Sequence, residues 1–263
     1  MKIISLVENT TNIDWPTEHG LCLYIETVGH KILFDSGKSE LFVENAAKAG
    51  VDLSAVDVFV LSHGHYDHGG GLKKFSEVNS KAPIYMNKNA FGLHYHGSDR
   101  YIGLNRDWID DAALQERIVF TDGITKIDDE LTIYASEGRK KIVDMGNGGL
   151  CVKVGETFVP ETFKHEHYLM INEGGKSVLI SGCSHQGVIN IVDWFKPDVL
   201  IGGFHFMKQP LDERLADFAK TLDGYDVDYY TCHCTGVEQY EYIKQFMSRL
   251  HYLAEGQIVE ISS

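Results

Sequence analysis

Long apolar runs are missing from this 263-residue chain: no stretch approaches the ~20 residues needed to cross a bilayer, so no membrane partner is expected. Met1–Glu8 reads as a short strand that meets an acidic residue too early for a signal-peptide core, and a cytoplasmic location is expected. Basic residues are also outnumbered, 24 against 38 acidic ones, for a formal charge of −14. A nucleic-acid groove needs a basic stripe, which this sequence does not show, so nucleic-acid partners are not expected. Cysteine is sparse, five residues at Cys22, Cys151, Cys183, Cys232 and Cys234, an odd and scattered set that implies no disulfide framework. Repeats and low-complexity linkers are absent. With 43% hydrophobic residues the chain can build an ample core, and a single α/β domain over residues 1–263 is expected.

What is present is concentrated. Ser62-His63-Gly64-His65-Tyr66-Asp67-His68-Gly69-Gly70-Gly71 sets three imidazoles and a carboxylate within six positions, directly after the apolar run Val58–Leu61. Imidazole nitrogen and carboxylate oxygen suit zinc and other borderline divalent ions, and the glycines allow a sharp loop that turns several ligands to one point. A strand therefore delivers a metal site. Other strands end in histidine in the same way: His185 follows Val178–Ile180, His205 follows Val199–Ile201, and His233 follows Tyr229-Tyr230. Open sheets leave a crevice at the carboxyl ends of their strands, so these ends are expected to converge. Hairpins are expected at Leu21–Ile25 with Ile32–Phe34, and at Tyr168–Ile171 with Val178–Ile180. Helices are expected through Leu41–Ala49, through Val188–Phe195 with a stop at Pro197, and at Leu211–Leu222. The stretch 87–110 is aromatic and glycine-rich and reads as an irregular, lid-like insert.

The H-x-H-x-D-H loop after a strand resembles the signature of the metallo-β-lactamase fold superfamily. Ile32–Gly37, with Asp35 at its end, and Val178–Cys183 are similar to two further strands of that family. Gly182-Cys183-Ser184-His185, Gly202-Gly203-Phe204-His205 and His233-Cys234-Thr235-Gly236 are similar to a narrower group, named after a dihydropterin/ribofuranosyl-aminobenzene phosphate synthase. The resemblance implies a four-layer αββα sandwich, where periodicity alone supports only α/β.

By the same resemblance, two divalent ions are expected, both zinc, with manganese or iron as the alternatives. One takes His63, His65 and a third histidine; the other takes Asp67, His68 and a late histidine. His185 is the choice for the third ligand. The sequence departs from the family's usual pattern here, so His165 and His167, in Phe163-Lys164-His165-Glu166-His167, stay open as rivals. His233 is favoured over His205 for the second ion, which leaves His205 to hold substrate or protonate a leaving group. Cys183 stands where many relatives carry a bridging Asp, and is either a thiolate ligand or a small buried residue. The resemblance gives Asp35 the role of supporting the metal loop; its alternative is a turn residue before Gly37. Glu8, Asn9, His19 and Gly20 are candidates for a substrate wall, while Cys232 and Cys234 read as packing residues.

Arg100 and Arg106 flank Tyr101–Gly103 in the insert, and on so acidic a chain they form a candidate clamp for phosphate or carboxylate. Phe91, Tyr95, Tyr101 and Trp108 either stack on a flat ring or anchor the loop. The expected function is a metal-dependent hydrolase that uses a metal-bridging hydroxide on a small phosphorylated or ester-type substrate, with Asp67 orienting that hydroxide. A transferase joining a pterin to a ribofuranosyl-aminobenzene phosphate and a non-enzymatic, metal-bound ligand sensor are the alternatives. An iron redox centre fits less well, because relatives of that kind usually carry an extra flavin domain.

Overall fold

Period-two alternation organises the centre of the molecule. In the computed structural model, which describes residues 1–262, Ile32, Phe34, Val58 and Val60 point into one buried layer, while Leu33, Phe59 and Leu61 point into another. The second half repeats this: Val178, Ile180, Val199 and Ile201 face the first layer, and Leu179 and Leu200 face away. Strands buried on both faces need apolar residues at every position, which is why these runs are continuous rather than alternating with polar residues.

Two seven-stranded sheets result. The first runs in the order Ile258–Glu260, Lys2–Val7, Cys22–Glu26, Lys31–Phe34, Val58–Val60, Ile84–Asn87 and Ile118–Thr121. The second runs Leu250–Tyr252, Asp228–Thr231, Val199–Gly202, Lys176–Ile180, His167–Glu173, Leu131–Ala135 and Ile124–Lys126. Each mixes antiparallel pairs with a parallel run; in the first the parallel strands begin at Lys31–Phe34, in the second at Lys176–Ile180. The sheets pack face to face through Leu23, Ile25, Phe34, Val60, Leu169, Ile171, Ile180 and Ile201. Helices Leu41–Lys48 and Leu72–Val78 cover the first sheet through Phe42, Ala46, Leu72 and Phe75. Val188–Phe195, Glu213–Asp223 and Val237–Ile243 cover the second through Ile191, Val192, Leu215, Ala219 and Ile243. The layers are therefore helix, sheet, sheet, helix. Full burial of each such Leu, Ile or Phe contributes about 1.5–3 kcal/mol. No helix among the described residues is long and apolar enough to cross a membrane.

The insert differs from its expected irregularity. His94–His96 and Arg100–Tyr101 are short strands of a separate four-stranded sheet, completed by Leu150–Val154 and Thr157–Pro160. Strands of two or three residues carry too little pattern to be read, and Leu150–Val154, which joins them to the rest of the sheet, lies some fifty positions away. The Val188–Phe195 helix stops one residue before Pro197, where Lys196 turns left-handed with φ of 44°. Because parallel neighbours point the same way, Phe34, Val60, Ile180, Gly202 and Thr231 all end at one edge of the sandwich.

Candidate metal centre

Asp35 comes first, since it fixes the rest. Its φ is 60°, and its wholly buried carboxylate accepts hydrogen bonds from the Ser62 N–H and hydroxyl, each at 2.7 Å. His68 Nδ1 donates to the same carboxylate at 2.7 Å. With its own proton given to Asp35, the Ser62 hydroxyl must accept from His63 Nδ1, 2.8 Å away. One carboxylate thus sets two tautomers, leaving Nε2 of both His63 and His68 with a lone pair for a cation. Burial works against charging His68, but the Asp35 carboxylate outweighs it and raises the His68 pKa to about 9, so an ion taken at Nε2 displaces a proton. The loop is tight at Gly64, where a side chain would come within 2.0 Å of the Ala90 carbonyl oxygen.

Two groups of ligand atoms form along this edge. In the first, His63 Nε2 lies 3.0 Å from His65 Nδ1 and 3.3 Å from His185 Nε2. Burial, followed by the charges of neighbouring histidines, His68 beside His63 and His205 beside His185, holds the pKa of both well below the usual histidine range. Burial does the same to His65. His63 thus stands between two further imidazoles, nitrogen donors of the kind a divalent cation takes. In the second, His68, Cys183 and His233 converge, and Asp67 lies 3.6 Å from His233 Nε2 and 3.3 Å from His19 Nε2. Burial opposes ionisation of Asp67, yet hydrogen bonds with His19 and His233 hold its pKa well below the carboxylate range. His233 Nδ1 meets Asn9 Oδ1 at 2.9 Å, which leaves its buried Nε2 without a hydrogen-bond partner. Cys183 joins both groups: its sulfur lies 3.1 Å from His68 Nε2, and it clusters with His63 and His185 as well.

His185, and neither rival, meets His63. The alternating histidines of the 163–167 segment are buried rather than an exposed edge, and the segment braces the centre. His165 Nδ1 accepts the Gly64 N–H at 2.8 Å. Glu166 accepts the N–H groups of His185 and Gln186 at 2.6 and 3.0 Å, which orients the third-ligand loop. His167 pairs with the Thr121 hydroxyl at 3.1 Å. His205 is half-buried, its ring 4.3 Å from that of His185, and it groups with Cys183 and Cys234 instead of with His68.

A cavity of about 320 Å³ opens over both groups, walled by Ile102, Met145, Leu150 and Met207, with Arg100 and Lys208 as its cations. Arg100 is steadied by donating to the Tyr66 hydroxyl at 3.0 Å. The expected Arg100–Arg106 clamp is not formed: Arg106 donates to the Phe91 carbonyl oxygen and does not line this cavity, because the short helical turn at Arg106–Asp110 carries it away. A larger cavity of about 570 Å³, between residues 136–147 and 161–186, is lined by no histidine or cysteine and offers no comparable ligand set.

Several residues here have places other than those read from sequence. Cys234, expected to be packing, reaches it; Asn9 and Glu8, expected in a substrate wall, instead hold His233, Glu8 by accepting its N–H at 2.5 Å. Lys208 carried no local motif. Its backbone shares a feature with the site: Asp35, Ser184, His205, Lys208 and His233 all have positive φ, 60°, 55°, 57°, 74° and 48°. Such non-glycine residues cost on the order of 1–3 kcal/mol each and gather at functional sites.

Comparison with known proteins agrees with this geometry. The sequence model of the Metallo-beta-lactamase superfamily matches residues 15–226. Uncharacterized protein MJ0448 of Methanocaldococcus jannaschii is 29% identical over 265 residues, covering 97% of this chain and 98% of its own. From the same organism, 7,8-dihydropterin-6-methyl-4-(beta-D-ribofuranosyl)-aminobenzene-5'-phosphate synthase is 27% identical over 284 residues, covering 99% and 96%. The crystal structure of Tm1679, described as a metal-dependent hydrolase of the beta-lactamase superfamily, superposes with a TM-score of 0.84 at 27% identity over the whole of both chains. With the family match spanning most of its length and the four layers in place, this chain belongs to the metallo-beta-lactamase superfamily.

Proposed function

We propose that the protein is a metal-dependent hydrolase of a small anionic substrate, phosphorylated or ester-type, built around two divalent ions, zinc or in its place manganese or iron. The observation that carries this reading is the pair of ligand groups meeting at Cys183 beneath a cavity with cationic residues in its wall. His63 Nε2, His65 Nδ1 and His185 Nε2 would hold one ion, and Asp67, His68 Nε2 and His233 Nε2 the other. The buried Nε2 of His233, which has no hydrogen-bond partner, fits that assignment. When bound, such ions supply Lewis acidity and bring the pKa of water from 15.7 to about 7.

The chain's own residues do the rest. Arg100 and Lys208 bind the anionic group of the substrate, and charge-assisted hydrogen bonds to it are about twice as strong as neutral ones. Met145, Leu150 and Met207 exclude water around the reacting carbonyl or phosphoryl group. Asp67, ionised and near both His233 and His19, orients the attacking water. His205 lines the cavity wall beside the ligand groups. A transferase reading draws support from the name of the synthase relative, which matches over nearly its whole length. Metal content of protein purified without added metal, then turnover of phosphomonoesters, phosphodiesters, lactones and thioesters, separates these. Hydrolysis of any one supports the proposal; activity only with a pterin donor and an aminobenzene acceptor supports the transferase, and binding without turnover supports a sensor.

A further inference from the structure

Two further clusters border the paired ligand groups, and their tautomers distinguish them. His65, His94 and His165 are close together and buried. His165 Nδ1, however, accepts the Gly64 N–H, so its Nε2 keeps a proton and has no lone pair to offer. That cluster is a brace for the loop.

The second is different in kind. Cys183, His205 and Cys234 come from three loops, after Lys176–Ile180, Val199–Gly202 and Asp228–Thr231, and their ligand atoms all lie within 4.8 Å of one another. Both sulfurs are buried, at 3% and 5% exposure, and neither is in a disulfide. His205 keeps a buried Nδ1 with no hydrogen-bond partner. Its backbone stands in the left-handed region to place that ring, with φ of 57°. Space for the second thiol is made by Gly203, where any side chain would come within 2.3 Å of the Cys234 sulfur. Two thiols and an imidazole that keeps one unpartnered nitrogen converge where the backbone is both strained and cleared; beyond the set, the Cys183 sulfur meets His68 Nε2 at 3.1 Å and the Cys234 thiol donates to the Cys183 carbonyl oxygen at 3.5 Å.

We propose that Cys183, Cys234 and His205 form a thiolate–imidazole set that holds a soft or borderline transition ion, such as zinc or ferrous iron, beside the histidine–carboxylate ligands. Thiolates discriminate against hard ions such as magnesium and calcium, so this set narrows the metals the centre accepts. On binding, each thiol gives its proton to solvent and its sulfur takes the ion. Zinc–sulfur and zinc–nitrogen bonds of about 2.3 and 2.0 Å put neighbouring ligand atoms well under 4.8 Å apart, so the set has only to contract slightly. The inference rests on this edge being a metal centre, and one experiment separates the two.

Metal-free, full-length protein is loaded with zinc and its X-ray absorption recorded, and a parallel sample is loaded with cobalt. Wild-type protein is expected to show sulfur scatterers at about 2.3 Å from zinc and a near-ultraviolet sulfur-to-cobalt charge-transfer band. In Cys234→Ser that band falls to about half, one of two thiolates having been removed. Cys232→Ser, which removes an equally buried thiol from the core between the sheets, leaves it unchanged. Only nitrogen and oxygen around zinc overturns the thiolate set while leaving the histidine centre standing. A band of full size in Cys234→Ser overturns it too, since Cys183 alone then accounts for the sulfur. Failure to bind either metal removes the centre and the set together. Should Cys234→Ser not fold, Cys234→Ala takes its place, a cobalt band of about half size supporting the set and a band of full size overturning it.

Discussion

Asp35 shows how much a single residue decides in this molecule. Its carboxylate sets the tautomers of His63 and His68 together, so Asp35→Asn puts an amide against the donors Ser62 and His68 and frees both rings to turn. Affinity for both ions is expected to fall ~10–100-fold, as measured by competition with a chelator. An unchanged affinity would leave Asp35 as a turn residue only. The third ligand is tested by comparison: His185→Ala is expected to lose the first ion, whereas His165→Ala loosens Gly64 but leaves metal content near normal. The reverse ranking would transfer the ligand role to the 163–167 segment. At this scale the loop histidines were legible because their spacing is itself the ligand pattern. The roles of Glu166, Asn9 and Cys234 were not, since each acts through contacts across the fold that no local spacing records.

Among the elements, strand ends carry the site and short strands carry its wall. The continuous apolar runs at Val58–Leu61, Val178–Ile180 and Val199–Ile201 announced strands buried on both faces, and the histidines after them marked the working edge. The four-stranded sheet through His94–His96 and Leu150–Val154 went unread, because pairing between remote, three- to five-residue segments is decided by tertiary contact. That sheet places Arg100 over the cavity, whereas the helical turn after it takes Arg106 elsewhere. Replacing Arg100 and Lys208 by Gln should therefore raise KM for an anionic substrate at least ~10-fold relative to a neutral ester of similar size. Arg106→Gln should move neither. Equal weakening of both substrates by the Arg100 and Lys208 changes would mean that the two cations only support the wall.

Across the whole molecule, the amino- and carboxyl-terminal segments are tied together behind the centre. Glu255, wholly buried, accepts the Glu8 N–H and an Asn45 amide proton, each at 3.0 Å, and Glu8 in turn holds His233. Burial, joined by the charges of Glu8 and Glu18, raises the Glu255 pKa from 4.5 to about 7. A folded-state pKa above the unfolded one gives stability that is full below the unfolded value and lost as pH rises through the folded value. Melting temperatures of wild type and Glu255→Gln should accordingly diverge in favour of the variant between about pH 5 and about pH 8. Parallel curves would show that Glu255 does not titrate in that window. The four-layer sandwich itself was legible only through resemblance to a family, since α/β periodicity does not say how two sheets stack. What the stacking achieves is the meeting of ligands from both halves of the chain at one edge, and the most direct measurement of that is anomalous diffraction from crystals of the zinc-loaded protein. At the histidine–carboxylate ligands two ions are expected, one within bonding distance of His63, His65 and His185 and one of Asp67, His68 and His233, apart from the ion of the thiolate–imidazole set; a single ion there at saturating zinc, with Asp67 and His68 unliganded, would contradict the dinuclear centre.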